Sequence, residues 1–578
     1  MSEPHDSLDT ERRESTPADP RWSSYVQEPL RVGDAESECW DGVADVIVVG
    51  FGGAGACAAL EARAHGLDVL ALDRFGGGGA TALCGGIYYG GATRHQRSAG
   101  YDDTPEEMYR YLKQEVGDTV LDSTLRKFCE DSNTNLEWLE SHGVRFGGHV
   151  YDGKRSYPPV GYDLYFSGNE KVSRYRQYAK PAPRGHRVVG PKYTGSVLYA
   201  ALSASAVQHG VRVHDHCPVK RLIVDRHGAV IGVEAGAIDP DSAAGREHRK
   251  LIARVNAWQR FFVPAALRTG ERLASLEREH TRPVRIRALR GVILSTGSFA
   301  FNRQMVDQYA PKYRDAMPLG TLGCDGSGIR LGQSVGGVTD CMQSVTAWRS
   351  ISPPISFVES VVVNCEGRRF INEDAYLGHL GFAVAEQTGG RAWVIIDRAS
   401  YRRSFLDTVP VRGESWHEFR LPLLMNLLSA VKGRTLEELA QRCGIAPDAL
   451  VSTVENYNAG VKSGIDEWGK PEEYQTPLRG GPYYAIDISI GSKKFLCPSI
   501  PMGGLVVDES TGHVMRSDGS RIKGLFAAGR AAKGIPSGFY VSGTSVADCV
   551  FSGRRAGLHV VGEGHAAQSS PVTERSTQ

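Results

Sequence analysis

The sequence predicts an α/β protein carrying an inserted α+β unit, and three observations predict it. A glycine-rich signature, VIVVGFGGAG from Val46 to Gly55, lies near the N-terminus between two short apolar runs. A second, GLFAAGR, begins at Gly524, 474 positions beyond Gly50. At 578 residues the chain is too long for one hydrophobic core. A Rossmann-like nucleotide fold that opens near one terminus and closes near the other, with a substrate or capping domain inserted between, accounts for all three.

Taken in order, residues 1–40 hold ten acids, four Lys/Arg and few apolar residues, and are expected to form a flexible tail. Val46 to Val49 is a β-branched run, as a buried parallel strand requires. Gly50, Gly52 and Gly55 complete GxGxxG, which allows a tight turn, close approach of a pyrophosphate and close helix–strand packing. The helix then runs through ACAALEARAHG to about Gly66, and its N-terminus offers free N–H groups to phosphate. DVLALD reads as the next strand and delivers Asp73, placed to accept hydrogen bonds from a ribose. With the closing signature so far away, this dinucleotide site points to FAD rather than NAD. The expected FAD-binding domain spans 41–340 plus 496–562, the substrate or capping domain 341–495, and a flexible tail 563–578. From Gly245 to Arg290 there are twelve Lys/Arg against four acids. Leu251, Ile252, Val255, Trp258 and Phe262 share one helical face, so an amphipathic basic helix is expected before Gly270. It either packs on the domain or a second subunit, or makes peripheral contact with an anionic membrane.

Composition narrows the function classes. Apolar residues at 41% and charged residues at 23% are ordinary for a globular protein, and a net charge of +1 gives no pull towards nucleic acid. Eleven cysteines occur without a CxxC pair, as expected of reduced thiols in the cytoplasm. The hydrophilic N-terminus is not a signal peptide, no apolar run is long enough to span a bilayer, and no residue cluster has metal-ligand spacing.

Further motifs resemble the FAD-binding family of fumarate reductases and 3-ketosteroid dehydrogenases. They are GGGGATALCGG (Gly76 to Gly86), VKRLIVDRHGAVIGV (Val219 to Val233), GVILSTGSFAFN (Gly291 to Asn302) and VVVNCEGRRFINED (Val361 to Asp374). The resemblance and the two signatures nominate as cofactor-binding Gly50, Gly52, Gly53, Ala54, Gly55, Asp73 and Arg74. They also nominate Thr81, Gly85, Gly86, Val219, Thr296, Gly297, Gly529, Arg530, Ser545 and Val546. FAD is expected to be non-covalent, since the histidine motif that tethers it in succinate dehydrogenases is absent. Where fumarate reductases carry an arginine that clamps a carboxylate, this chain has Tyr540, and their HPT triplet is replaced by MQSVTAWRS. A dicarboxylate needs forked cationic donors, so fumarate and succinate are disfavoured. GFYVSGTS (Gly538 to Ser545), PAPRGH (Pro181 to His186) and EDAY (Glu373 to Tyr376) are instead similar to the 3-ketosteroid 4-dehydrogenases.

That resemblance implies an FAD-dependent oxidoreductase acting on CH–CH groups of a steroid, with the 4,5 bond favoured, and a catalytic set of Tyr376, Tyr540 and Ser542. Desaturation beside a ketone removes an acidified α proton and a β hydrogen that leaves as hydride to flavin. A phenol hydrogen-bonded to the ketone oxygen stabilises the developing enolate, and a second hydroxyl takes the proton. Tyr540 is assigned to the ketone, and Tyr376 with Ser542 to the proton; the tyrosine roles are exchangeable. His379 reads as a local hydrogen-bonding residue or a relay, Arg184 and His186 as mouth-lining or loop anchors, and Asp325 as structural. Two other readings stay open: a reductase of an activated alkene, and a flavin-binding protein without turnover. The electron acceptor is not specified by the sequence.

Overall fold

The computed structural model describes residues 26–33, 35–36, 38–258, 263–409 and 420–563. Its main body is a nine-stranded sheet. The strands along its main path are β1 (Leu30–Arg31), β2 (Gly42–Val49), β3 (Val69–Leu72), β4 (Arg212–His214), β5 (Val219–Val224), β6 (Val230–Ala237) and β7 (Arg282–Leu294). They stand in the order β1-β5-β6-β7-β2-β3-β4. Val46, Ile47 and Val48 are fully buried in β2, which runs parallel to both its neighbours. A strand covered on both faces has no place for a polar residue, which is why this run is uniformly apolar.

The C-terminal segment returns to the same sheet. Another strand, Arg521–Ala527, pairs in parallel with the end of β7, Leu525 opposite Val292. The helix Gly53–Ala64 (α1) follows β2 and is buried from Gly53 through Ala62. It is crossed by the helix Thr544–His559. A Cβ on Gly553 would lie 2.5 Å from the Ala54 carbonyl oxygen, so the two helices meet this closely only without a side chain there.

A second, antiparallel sheet of four strands comes from Val361–Asn364, Ala392–Ile396, Tyr483–Asp487 and Val431–Gly433, in that spatial order. Its two faces carry separate apolar cores, one around Phe357, Leu380 and Val394, the other around Val363, Leu439 and Tyr457.

Two expectations change. Residues 26–40 are not tail: β1 pairs with β5 at Ile223 and Val224, Val32 is buried, and the Trp40 indole donates to the Ala35 carbonyl at 2.8 Å. The acidic residues there meet arginines instead of repelling one another, Glu38 with Arg285 and Glu36 with Arg287. Residues 1–25 and 564–578 lie outside the described residues. The basic stretch is not one helix but two, α2 (Ala243–Trp258) and α3 (Val263–His280), with Gly270 inside the second. Leu251 and Val255 are buried and Ile252 is half-buried, so the first part of that apolar stripe packs inward, while Trp258 is exposed; Phe262 lies outside the described residues. No helix among the described residues is long and apolar enough to cross a membrane.

Candidate active site and cofactor cleft

At the end of β2 the chain turns sharply. Gly50 has φ of +92°, and a Cβ there would sit 2.8 Å from Thr296 Cα. A Cβ on Gly55 would lie 2.1 Å from the Gly50 oxygen, whereas one on Gly52 would meet nothing nearer than 3.6 Å. Gly50 and Gly55 therefore press helix onto strand, and Gly52 leaves room for a ligand.

A cleft opens over this turn. Its walls include Gly50, Gly52, Gly53 and Ala54 from the loop, Asp73, Arg74 and Thr81 beyond the next strand, and Val219, Thr296, Gly297 and Arg530 from across the sheet. A helix N-terminus without a side-chain cap, a cradle of small residues and an acid at the strand end fit the diphosphate and ribose of FAD. Asp73 already accepts from Phe51 N at 2.8 Å, Phe75 N at 2.8 Å and Gly77 N at 3.1 Å. A carboxylate has about four lone-pair sites, so capacity for ribose hydroxyls remains.

Several nominated residues stand elsewhere. Gly55 and Gly529 lie behind the wall as packing positions, Gly529 against Ala54 with 2.8 Å for a Cβ. Gly85 and Gly86 turn the chain beside Thr194, and Ser545 and Val546 sit in the first turn of the helix Thr544–His559; none of the four lines this cleft. Arg74 lines it, but its guanidinium is committed to Glu277 (2.9 Å) and Asp325 (2.9 Å), not held ready for a ligand.

The nominated hydroxyls converge in a second cluster. Tyr376 and Tyr540 are buried together with Ile500 and Met502, and Trp348 packs on Tyr540 with ring centroids 5.9 Å apart. Tyr376 is fixed through its backbone N–H, which donates to Asn169 Oδ1 at 2.6 Å. Ser542 is held by Ser167, whose hydroxyl donates to its carbonyl at 2.9 Å. The Tyr165 hydroxyl donates to Ser542 Oγ at 3.2 Å. Tyr165 escaped the sequence reading because it sits on a two-residue strand, 377 positions from its partner. Burial pushes the Tyr540 phenol up to about 12. Burial also raises Tyr376 well above the usual phenol value; Tyr540 and Tyr165 push the same way, and Ser542 pulls against them. Both phenols are therefore protonated donors at neutral pH, and neither is a standing phenolate.

The remaining candidates are anchors. Arg184 is wholly buried and forks onto Asp103 at 2.9 and 2.7 Å. His186, buried and held near Thr93 Oγ1 at 2.8 Å, is pushed down to about 4 by burial and stays neutral. His379 stacks on Phe539 and contacts Asn169, Tyr175 and Glu115. Asp325 takes Arg74 and caps Ser327. Arg349, in the stretch that replaces HPT, donates to the carbonyls of Phe495 and Ser489. None of these arginines is set to fork onto a substrate carboxylate.

Residues 45–546 match the FAD binding domain family. Over 515 residues the chain is 37% identical to a 3-oxo-5-alpha-steroid 4-dehydrogenase of Comamonas testosteroni, covering 87% of this chain and 96% of that protein. It is 25% identical to a cytochrome-type fumarate reductase of Shewanella frigidimarina, covering 89% of this chain and 76% of the other. Among solved structures it is similar to a 3-ketosteroid-delta4-(5alpha)-dehydrogenase of Rhodococcus jostii RHA1 in complex with 4-androstene-3,17-dione. There the TM-score is 0.76 and the identity 31%, covering 92% of this chain and 99% of that one.

Proposed function

The chain belongs to the family built on this FAD binding domain, and we propose that it dehydrogenates a 3-ketosteroid at the 4,5 bond. The observation that carries the reading is the juxtaposition of the Tyr376, Tyr540, Ser542 and Tyr165 hydroxyl side chains, with the Arg184 guanidinium spent on Asp103 and that of Arg349 on backbone carbonyls. The relatives named for 4-dehydrogenation support the same bond.

FAD, held by the glycine turn, Asp73 and the wall from Val219 to Arg530, supplies the acceptor for a hydrogen and its electron pair. The chain's own residues do the rest. The Tyr540 phenol donates to the C3 ketone oxygen, and its raised pKa keeps it a donor as charge develops there. In a site closed by Trp348, Met502 and Ile500, that hydrogen bond is worth far more than in water. The C4 proton passes to a hydroxyl only as that hydroxyl releases its own, because neither phenol is ionised beforehand. Tyr376 and Ser542 make that exchange, the proton released from the pair leaves to solvent, and Tyr165 orients Ser542 by donating to its Oγ. Reoxidation needs a separate electron acceptor. A reducing, cytoplasmic setting suits eleven cysteines with no disulfide among them in the described residues.

Membrane contact through 245–290 would use the charged outer side of the two helices, since Leu251 and Val255 are buried. Liposome flotation with and without residues 245–282 tests it, and equal recovery in the soluble fraction ends the idea.

The test of the reaction is Tyr540→Phe and Ser542→Ala, assayed on a saturated 3-ketosteroid with an artificial acceptor. Each variant should lose roughly 10²–10³ in kcat, the usual effect of deleting one directed donor, while retaining its flavin spectrum. Wild-type kcat in both variants contradicts the assignment.

A further inference from the structure

Strands β6 and β7 are direct neighbours, and Ala237 at the end of one faces Arg282 at the start of the other. A two-residue turn would join them. The chain instead makes an excursion through α2 and α3. This excursion is absent from the sheet's requirements and from the chemistry above, yet it is tied down firmly. Glu277 on α3 receives Arg74 at 2.9 Å, beside Asp73 at the cleft, and meets His248 Nε2 of α2 at 3.0 Å. His248 in turn meets His216, next to Cys217 on the cleft wall, with the two Nδ1 atoms 2.7 Å apart. Both Glu277 and His248 are buried. Val255 packs against Phe301 and Leu322. This seating leaves Ile252 and Asn256, four positions apart on one face of α2, lining the dinucleotide cleft together with Asp73, Phe75 and Val219. Ile252 is half-buried and Asn256 exposed, so a bound ligand covers surface that the protein alone does not.

We propose that the α2–α3 excursion is a cover over the adenosine half of the dinucleotide, with Ile252 and Asn256 as its contacts and the His248–Glu277–Arg74 tie as its latch. Ile252 offers an apolar face to a flat ring. Asn256 brings a side-chain amide to the same wall, a group that hydrogen-bonds a purine edge or a ribose. The function served is retention of the cofactor, not the reaction. The inference rests on the FAD reading above, and the experiment separates the two.

The full-length holoenzyme and its Ile252→Ser/Asn256→Ala double variant are diluted serially, and FAD release is followed by flavin fluorescence, with ADP added as a competitor for the adenosine half alone. Neither side chain belongs to a buried core, so the FAD-free proteins should melt at the same temperature, while the variant holoenzyme melts lower by the FAD stabilisation it has lost. The expected result is an FAD Kd raised about tenfold or more, corresponding to ~1.4 kcal/mol. The ADP inhibition constant should rise by the same factor. Unchanged FAD affinity overturns the cover. Weakened FAD with an unchanged ADP inhibition constant overturns its placement at the adenosine end. A wild-type protein that holds no FAD defeats the cofactor reading itself.

Discussion

Glu170 is expected to make the protein's stability fall as pH rises from 4.5 to 7, and the size of that fall follows from its surroundings. It is 1% exposed, accepting from Gly168 N at 2.8 Å and Tyr89 Oη at 3.1 Å. The nearest cation, Arg184, is already forked onto Asp103. Burial therefore outweighs Arg184 and raises the Glu170 carboxyl from 4.5 to about 7. The folded protein keeps this proton where the unfolded chain has lost it, so between pH 4.5 and 7 the folded state binds more protons. Stability from this group is full below pH 4.5 and declines up to pH 7, by about 3 kcal/mol at 1.36 kcal/mol per unit. Glu170→Gln removes the titration. Its carbonyl can accept from Gly168 and its amide can donate to the Tyr89 oxygen, which is free to turn its own proton away. Chemical denaturation of wild type and variant from pH 4 to 8 is the assay. The variant should gain on wild type by about 3 kcal/mol between pH 4.5 and 7 and hold that gain above. Parallel stability curves for the two proteins would refute a raised, buried carboxyl at this position.

Two further outcomes are expected. Tyr165→Phe removes one neutral hydrogen bond from Ser542, and steady-state kinetics should show a kcat loss of roughly tenfold, well short of the loss for Ser542→Ala; a loss as large as that would make Tyr165 an equal partner. Gly55→Ala places a methyl 2.1 Å from the Gly50 oxygen, so α1 must shift at a cost of at least about 1–3 kcal/mol; the flavin-to-protein ratio after purification should fall, and full loading with unchanged melting would show the helix is not pinned.

What the sequence disclosed was local or repeated in kind. Val46 to Gly55 combines a buried strand, a turn and a helix start within ten residues, each with its own chemical signature. Tyr376, Tyr540 and Ser542 were singled out through the resemblance of EDAY and GFYVSGTS to the 3-ketosteroid 4-dehydrogenases, and the structure brings these distant segments together. What stayed hidden was long-range pairing. Arg74 read as a cofactor contact because it follows Asp73; that it is committed to Glu277, 203 positions away, is a fact of tertiary packing. The break between α2 and α3 had a signal in Pro264, which suits the first turn of a helix and not its middle, but the basic and apolar periodicity ran on across it. Residues 26–40 looked unfoldable from their charge alone, yet β1 is held by two residues of pairing, and Glu36 and Glu38 meet arginines of β7 more than 240 positions on.

The most direct test is anaerobic mixing of the purified flavoprotein with a saturated 3-ketosteroid, with flavin absorbance followed and the product identified by mass and NMR. Bleaching of the oxidised flavin together with a new 4,5 double bond is the predicted result. No bleaching by any 3-ketosteroid, with reoxidation of the chemically reduced enzyme by an activated alkene, would contradict it and make the protein a reductase.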